Sequence, residues 1–218
     1  MRYGPLGESG LLVSVVGLGG NNFGGRLDTD GTRAVVDAAI DAGITLFDTS
    51  DTYGGGGGSE TALGEILGRR RDQIVLATKF GHQRADMGYG PAAGAKGGRA
   101  YIRRAVTESL RRLRTDHIDL YQLHTPDPVT PVEETITALD ELVAEGKVRY
   151  IGHSNFSGWQ IADAAFALTC SGVIAPAITD EQPGWAASAP IATSRRVRPC
   201  RSAHPVSAST LASFSSVT

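Results

Sequence analysis

The chain has 218 residues, 41% of them hydrophobic and 20% charged; this balance fits one globular domain with a sizeable core and excludes a disordered or membrane-embedded class. A formal net charge of -2 and a pI near 6.2 offer no basic surface, so no nucleic acid and no anionic membrane is expected as a partner. The two cysteines, Cys170 and Cys200, cannot build a disulfide framework and lack metal-ligand spacing, which predicts a reducing, cytoplasmic setting and no metal site.

In chain order, residues 2–12 predict a small hairpin, with Gly4-Pro5 and Ser9-Gly10 as turn signals. The apolar run at 13–18 predicts a first buried strand; it is too short to span a bilayer and follows a turn rather than a basic leader. Asp30 is the expected N-cap of a helix carrying Val35, Val36, Ala39 and Ile40 inward and stopped by Gly43. A strand ends at Asp48, and Ser59 is the expected cap of a helix with Ala62, Leu63, Ile66 and Leu67 on its core face. Residues 74–79 predict a continuous apolar strand ending on Lys79. Residues 80–98 have no period, and a loop of that length inside a regular fold is usually functional or mobile.

The second half repeats the rhythm. A helix over 101–114 places Ile102, Ala105, Val106, Leu110 and Leu113 at core spacing, and a strand over 118–124 ends on His124. Thr130-Pro131-Val132-Glu133 predicts a capping box with proline at the first helical position, opening a helix with Ile136, Leu139 and Val143 inward and Gly146 as stop. A strand over 148–154 follows, then a second capping box (Ser157 with Gln160) and a helix to about Thr169. A weaker strand at 173–178 leads to Gln182.

Strand and helix thus alternate about six times, which means a parallel sheet with right-handed crossovers. An open doubly wound sheet gathers functional groups at one switch point, whereas a closed barrel takes them from the carboxyl ends of many strands. Asp48, Lys79, His124 and Asn155 come from four strands, so the fold predicted is an α/β barrel of the (β/α)8 type, incomplete at about six of eight repeats. After Gln182 the character changes: residues 183–218 contain no Asp, Glu or Lys and are rich in Ser, Ala, Arg and Pro. Residues 1–182 are therefore expected to form the partial barrel and 183–218 an irregular tail, and the abrupt shift favours a frame error or truncation over a natural extension.

The strand-end residues suggest a chemistry. An isolated phenol titrates at about pH 10, and an ammonium beside it favours the phenolate, while a carboxylate keeps that ammonium charged. A neutral imidazole can hydrogen-bond a carbonyl oxygen. Together Tyr53, Lys79, Asp48 and His124 could protonate a carbonyl oxygen as hydride reaches its carbon. Taken singly each has a plainer reading: a strand-end histidine, a snorkelling lysine, a turn-capping aspartate, a tyrosine on the rim. Four together in one kind of place favour the catalytic reading instead. Asp48 and Asp51 lack a third ligand at metal-binding spacing, residues 69–71 read as a solvated helix end, residues 54–58 as a flexible glycine turn, and Trp159 and Trp185 as packing residues.

The segments FDTSDTYGGGGGSE, ATKFG, LRRLRTDHIDLYQLHTPD and GKVRYIGHSNF, in this order, resemble the aldo-keto reductases, in particular the branch of potassium-channel β-subunit-like proteins. The resemblance covers roughly residues 2–182. It implies that Asp48, Tyr53, Lys79 and His124 form a catalytic tetrad with Tyr53 as proton donor. Ser154, Asn155 and Gln182 are implied to bind the nicotinamide end of NADPH, and the substrate is expected to be a small carbonyl compound. The implied cofactor site is not a Rossmann fold, and GLGGNNFGG indeed departs from G-x-G-x-x-G at Asn22. His153 stands where the family more often has a small or aliphatic residue, and the family's adenosine-phosphate site belongs to the last two repeats. The competing functions are an inactive remnant or regulatory pseudoenzyme of the same family and a cofactor-independent barrel isomerase or hydrolase.

Overall fold

A computed structural model describes residues 1–7, 9–171 and 177–179. Gln182, the tail 183–218 and positions 173–176 of the last expected strand lie outside these. The elements are β1 (Tyr3–Pro5), β2 (Leu12–Ser14), β3 (Gly17–Gly19), α1 (Thr29–Asp41), β4 (Leu46–Asp48), the single turn α2 (Tyr53–Gly56), α3 (Gly58–Leu67), β5 (Val75–Phe80), α4 (Arg99–Leu113), β6 (Ile118–Leu123), α5 (Val132–Ala144), β7 (Val148–His153), α6 (Gly158–Ser171) and β8 (Ala177–Thr179).

Strands β3 to β8 form one parallel sheet in sequence order, each joined to the next through a helix or loop on the outer side. This is six consecutive strands of a (β/α)8 barrel. Register defines its layers. Asp48, Ala77, Leu120 and Tyr150 stand opposite one another, and two residues further on come Lys79, Gln122 and Gly152. Because side chains alternate along a strand, Phe47, Leu76, Tyr121 and Ile151 take the other face. There they join Leu63, Ile102, Val106 and Leu142 of the helices in the main core. Fully burying one such side chain contributes roughly 1.5–3 kcal/mol, so this outer layer carries the fold's stability and leaves the inner face for chemistry.

The hairpin predicted at 2–12 extends to Ser14, because β1 and β2 pair antiparallel from Tyr3↔Ser14 to Pro5↔Leu12. The strand expected at 13–18 is consequently split between β2 and β3. Ser14 makes the corner: its hydroxyl accepts from the backbone N–H of Thr45 at 2.9 Å while its own N–H donates to Thr45 Oγ1. Leu6 and Leu11 of the hairpin pack on Ala77, Leu120 and Tyr150, covering the amino end of the sheet interior.

Local expectations were met unevenly. The cap of α1 is Asp28, whose Oδ1 accepts from Gly31 N, rather than Asp30; Val35 lies outward and is 37% exposed. Ser59 does not cap α3 but turns inward, bonding Thr49 Oγ1 and donating to Gly20 O. Thr130 donates to Asp127 instead of capping α5, whose N-cap is Pro131 itself. Ser157 and Gln160 do meet at the start of α6, with Ser157 N–H donating to Gln160 Oε1 at 2.9 Å. Trp159, expected to pack, is 71% exposed. Arg71, expected in solvent, is buried against Asp119 at 2.7 Å, and of that trio only Arg69 is exposed.

Candidate active site

Among the described site residues, all but Tyr53 sit where a parallel strand ends; Tyr53 opens the short turn α2, five residues after β4. Asp48 closes β4, Lys79 is the penultimate residue of β5, His124 follows β6, and Ser154 and Asn155 follow β7. The ladder continues past the strands: His124 N–H donates to Phe80 O at 2.7 Å and Ser154 N–H to Leu123 O at 2.9 Å. After β4 the chain stays bonded to β5 through Thr49 N–H to Ala77 O and Asp51 N–H to Lys79 O. Backbone pairing therefore brings residues 49–51 to the level of Lys79.

The Lys79 ammonium donates to Asp48 Oδ2 and, at 3.2 Å, to Thr49 O. It lies over the Tyr53 ring, 5.3 Å from the centroid. Tyr53 meets His124 edge-on, with centroids 5.7 Å apart. Burial, reinforced by the neighbouring Lys79 charge and by His82, pushes the His124 imidazole down to about 3, so it is neutral at physiological pH. Asn155, at a left-handed φ of 61°, donates from Nδ2 to His124 O at 2.8 Å and to Ser154 Oγ at 3.1 Å. The structure thus gathers Asp48, Tyr53, Lys79 and His124 in one cluster with Ser154 and Asn155 beside it. Gln182 lies outside the described residues.

Tyr53 is presented by the glycine run. Gly54 to Gly57 all have positive φ, from 67° to 97°, a left-handed turn that side chains resist. Gly58 then abuts Gly24, whose oxygen would lie 2.8 Å from a Cβ at Gly58. At Gly54 and Gly58 the run is a close backbone contact with the GLGGNNFGG loop, while Gly55 and Gly56 have nothing within 4 Å of an added Cβ.

Three further residues belong to the site. The Ser50 hydroxyl lies 3.0 Å from His124 Nδ1 and 3.2 Å from Asp51 Oδ1. The His82 ring stands edge-on to His124 at 4.7 Å. In the sequence, the one signal that marks Ser50 and Asp51 for the site is their position inside the FDTSDTY segment, between Asp48 and Tyr53. His82 opens the 80–98 loop, which Lys96 gathers by donating to the carbonyls of His82, Gln83 and Ala85 at 2.6, 3.0 and 2.5 Å. Among the described residues no three His, Cys, Asp or Glu side chains gather as metal ligands, and no helix is long and apolar enough to cross a membrane.

Fold and cluster define the chain as a (β/α)8-type protein with a lysine–carboxylate pair, a phenol and a neutral imidazole at the carboxyl edge of the sheet. The profile of the Aldo/keto reductase family matches residues 15–182, and the chain belongs to that family. It is 44% identical over 173 residues to the uncharacterized oxidoreductase YrpG of Bacillus subtilis (strain 168), covering 75% of this chain and 52% of the relative. It is 40% identical over 170 residues to a 6-dehydroglucose reductase of Novosphingobium aromaticivorans, with 73% and 53% covered. With a probable voltage-gated potassium channel subunit beta of Arabidopsis thaliana it shares 34% over 190 residues, 85% of this chain and 55% of the relative. The chain spans about half the length of these relatives.

Proposed function

We propose that this chain is an oxidoreductase that reduces aldehydes or ketones to alcohols with NADPH, Tyr53 acting as proton donor. The observation that carries the reading is the Lys79 ammonium, paired with Asp48 and lying over the Tyr53 ring, next to a histidine that burial keeps neutral. Proton transfer from a phenol to a carbonyl oxygen leaves a phenolate, and an ammonium held nearby stabilises it. Asp48 and the Thr49 carbonyl hold Lys79 in that position. His124 has Nδ1 engaged with Ser50, which leaves Nε2 to hydrogen-bond the substrate oxygen and orient it.

When bound, the reduced nicotinamide supplies the hydride. Ser154 and Asn155 would hold its carboxamide, with Gln182 as a further contact. The donor set fits: Asn155 commits Nδ2 to the chain, so its Oδ1 is the atom left to accept an amide N–H. The 6-dehydroglucose reductase among the relatives adds support for carbonyl reduction. A second reading is a catalytically silent relative that keeps the cluster without holding cofactor.

Fluorescence titration of the purified 218-residue protein with NADPH, and with NADH in parallel, separates the two. Saturation at micromolar NADPH is expected. A folded protein that binds neither nucleotide would overturn the reductase reading in favour of the silent one.

A further inference from the structure

Ser50 is the hinge of a buried three-residue relay. Its Oγ is 3.2 Å from Asp51 Oδ1, 3.0 Å from His124 Nδ1, and accepts from Thr52 N–H at 3.2 Å. Ser50 and Asp51 have no exposure and His124 only 6%. A hydroxyl has one proton and two lone pairs. Thr52 N–H occupies one lone pair, so Ser50 retains one proton to give and one lone pair to offer, and Asp51 and His124 must take opposite roles. The Thr52 hydroxyl, 3.0 Å from Ser50 and half-buried, can turn away and is held to neither role.

We propose that Asp51 is a positioning residue that sets the tautomer of His124 through Ser50. This rests on the reading of His124 as the group that hydrogen-bonds the substrate carbonyl. With Asp51 protonated, its O–H donates to Ser50 Oγ, Ser50 donates to His124 Nδ1, and the imidazole proton sits on Nε2, where it can be donated to a carbonyl oxygen. With Asp51 ionised, Ser50 donates to the carboxylate, Nδ1–H donates to Ser50, and Nε2 presents a lone pair that repels a carbonyl oxygen. The two states differ by one proton. It leaves for solvent from His124 Nε2, the Ser50 proton passes to Nδ1, and the Asp51 proton passes to Ser50.

The surroundings bring the exchange between the two states close to neutrality. Burial, then the charge of Glu60, push the Asp51 carboxyl up to about 7, against the pull of Ser50, Arg112 and Lys96. The phenols of Tyr89, Tyr101 and Tyr121 lie near it, from the 80–98 loop, α4 and β6. Its other oxygen, Oδ2, is buried with no hydrogen-bond partner among the described residues, as suits a carboxylic acid better than a carboxylate. His124 is faced by Lys79, Tyr53 and His82. None of these replaces the proton that Ser50 must give or take.

The test reads the ring directly. Long-range 15N–1H spectra of the full chain, without cofactor or substrate, report the His124 tautomer between pH 5.5 and 8.5. In the native protein Nε2–H should convert to Nδ1–H as pH rises, with a midpoint near 7. Asp51→Asn and Ser50→Ala should each abolish the transition, and either variant that folds suffices. A single tautomer across the range in the native protein, or an unchanged midpoint in Asp51→Asn, would overturn the proposal. Because no turnover is measured, that failure is distinct from failure of the reductase reading, which nucleotide binding tests.

Discussion

Arg112 and Glu60 form an ion pair inside the barrel wall. The Arg112 Nε donates to Glu60 Oε2 at 2.7 Å, with the two side chains only 9% and 0% exposed. Thr78 Oγ1 donates to the other carboxylate oxygen at 2.6 Å, so one carboxylate ties α3 to α4 and to β5. The same Arg112 side chain packs against Gly57 in the turn that follows Tyr53. Structure and site therefore share this contact.

Removing one partner of a buried pair strands the other charge away from water, a cost of about 3–5 kcal/mol. Glu60→Ala should therefore lower unfolding stability by that order in denaturant titration. The double variant Glu60→Leu with Arg112→Met should recover most of the loss, because a packed apolar pair has no charge to desolvate. Equal losses in the single and double variants would show that packing, not charge, holds the three elements together.

His153 is buried at 7% exposure and stacks on Phe156 at 4.3 Å, and neither ring nitrogen has a hydrogen-bond partner among the described residues. Burial alone lowers it from an ordinary 6.5 to about 4. With the folded value depressed, its contribution to stability is present above pH 6.5 and is lost as pH falls through about 4. The loss is on the order of 3 kcal/mol. His153→Val should flatten the acid limb of a stability-against-pH curve in that window, and at pH 7 should be neutral or stabilising because two unpaired nitrogens disappear. An unchanged acid limb would mean that other groups control it.

The two glycine loops meet at Gly24 and Gly58. Gly24 lies at φ 64°, and a methyl there would overlap the Gly58 carbonyl. Gly24→Ala should cost about 3 kcal/mol or more, combining left-handed strain with overpacking. It should also weaken nucleotide binding by displacing the turn behind Tyr53. Gly88 has a similar φ of 69° but nothing within 4 Å of an added Cβ, so Gly88→Ala should cost only about 1–2 kcal/mol. Thermal unfolding of both variants makes the comparison, and equal shifts would contradict close packing at Gly24.

The alternation of strands and helices and the four strand-end residues were legible because each depends on local pattern: apolar runs of strand length, and polar groups immediately after them. What was not legible depends on partners distant in sequence. Ser59 has the composition of a helix cap, yet Thr49 and Gly20 approach it from other elements and turn it inward. Arg71 looks like part of a solvated basic run until β6 brings Asp119 beneath it. The strand at 13–18 is interrupted at Ser14, whose N–H and hydroxyl bond Thr45, a partner reached only after α1, while the hydroxyl also donates to Val16 O. The role of Ser50 was hidden for the same reason, since His124 arrives from β6.

The most direct test of Tyr53 as proton donor is single-turnover reduction of a reactive aldehyde by NADPH-loaded Tyr53→Phe beside the native chain. The substitution keeps the ring that lies under Lys79 and against His124 and removes the hydroxyl group that carries the transferable proton. A loss of at least about 10²-fold in the chemical step is expected, with NADPH affinity unchanged. Full activity in Tyr53→Phe would contradict that role, because the proton would then come from another group.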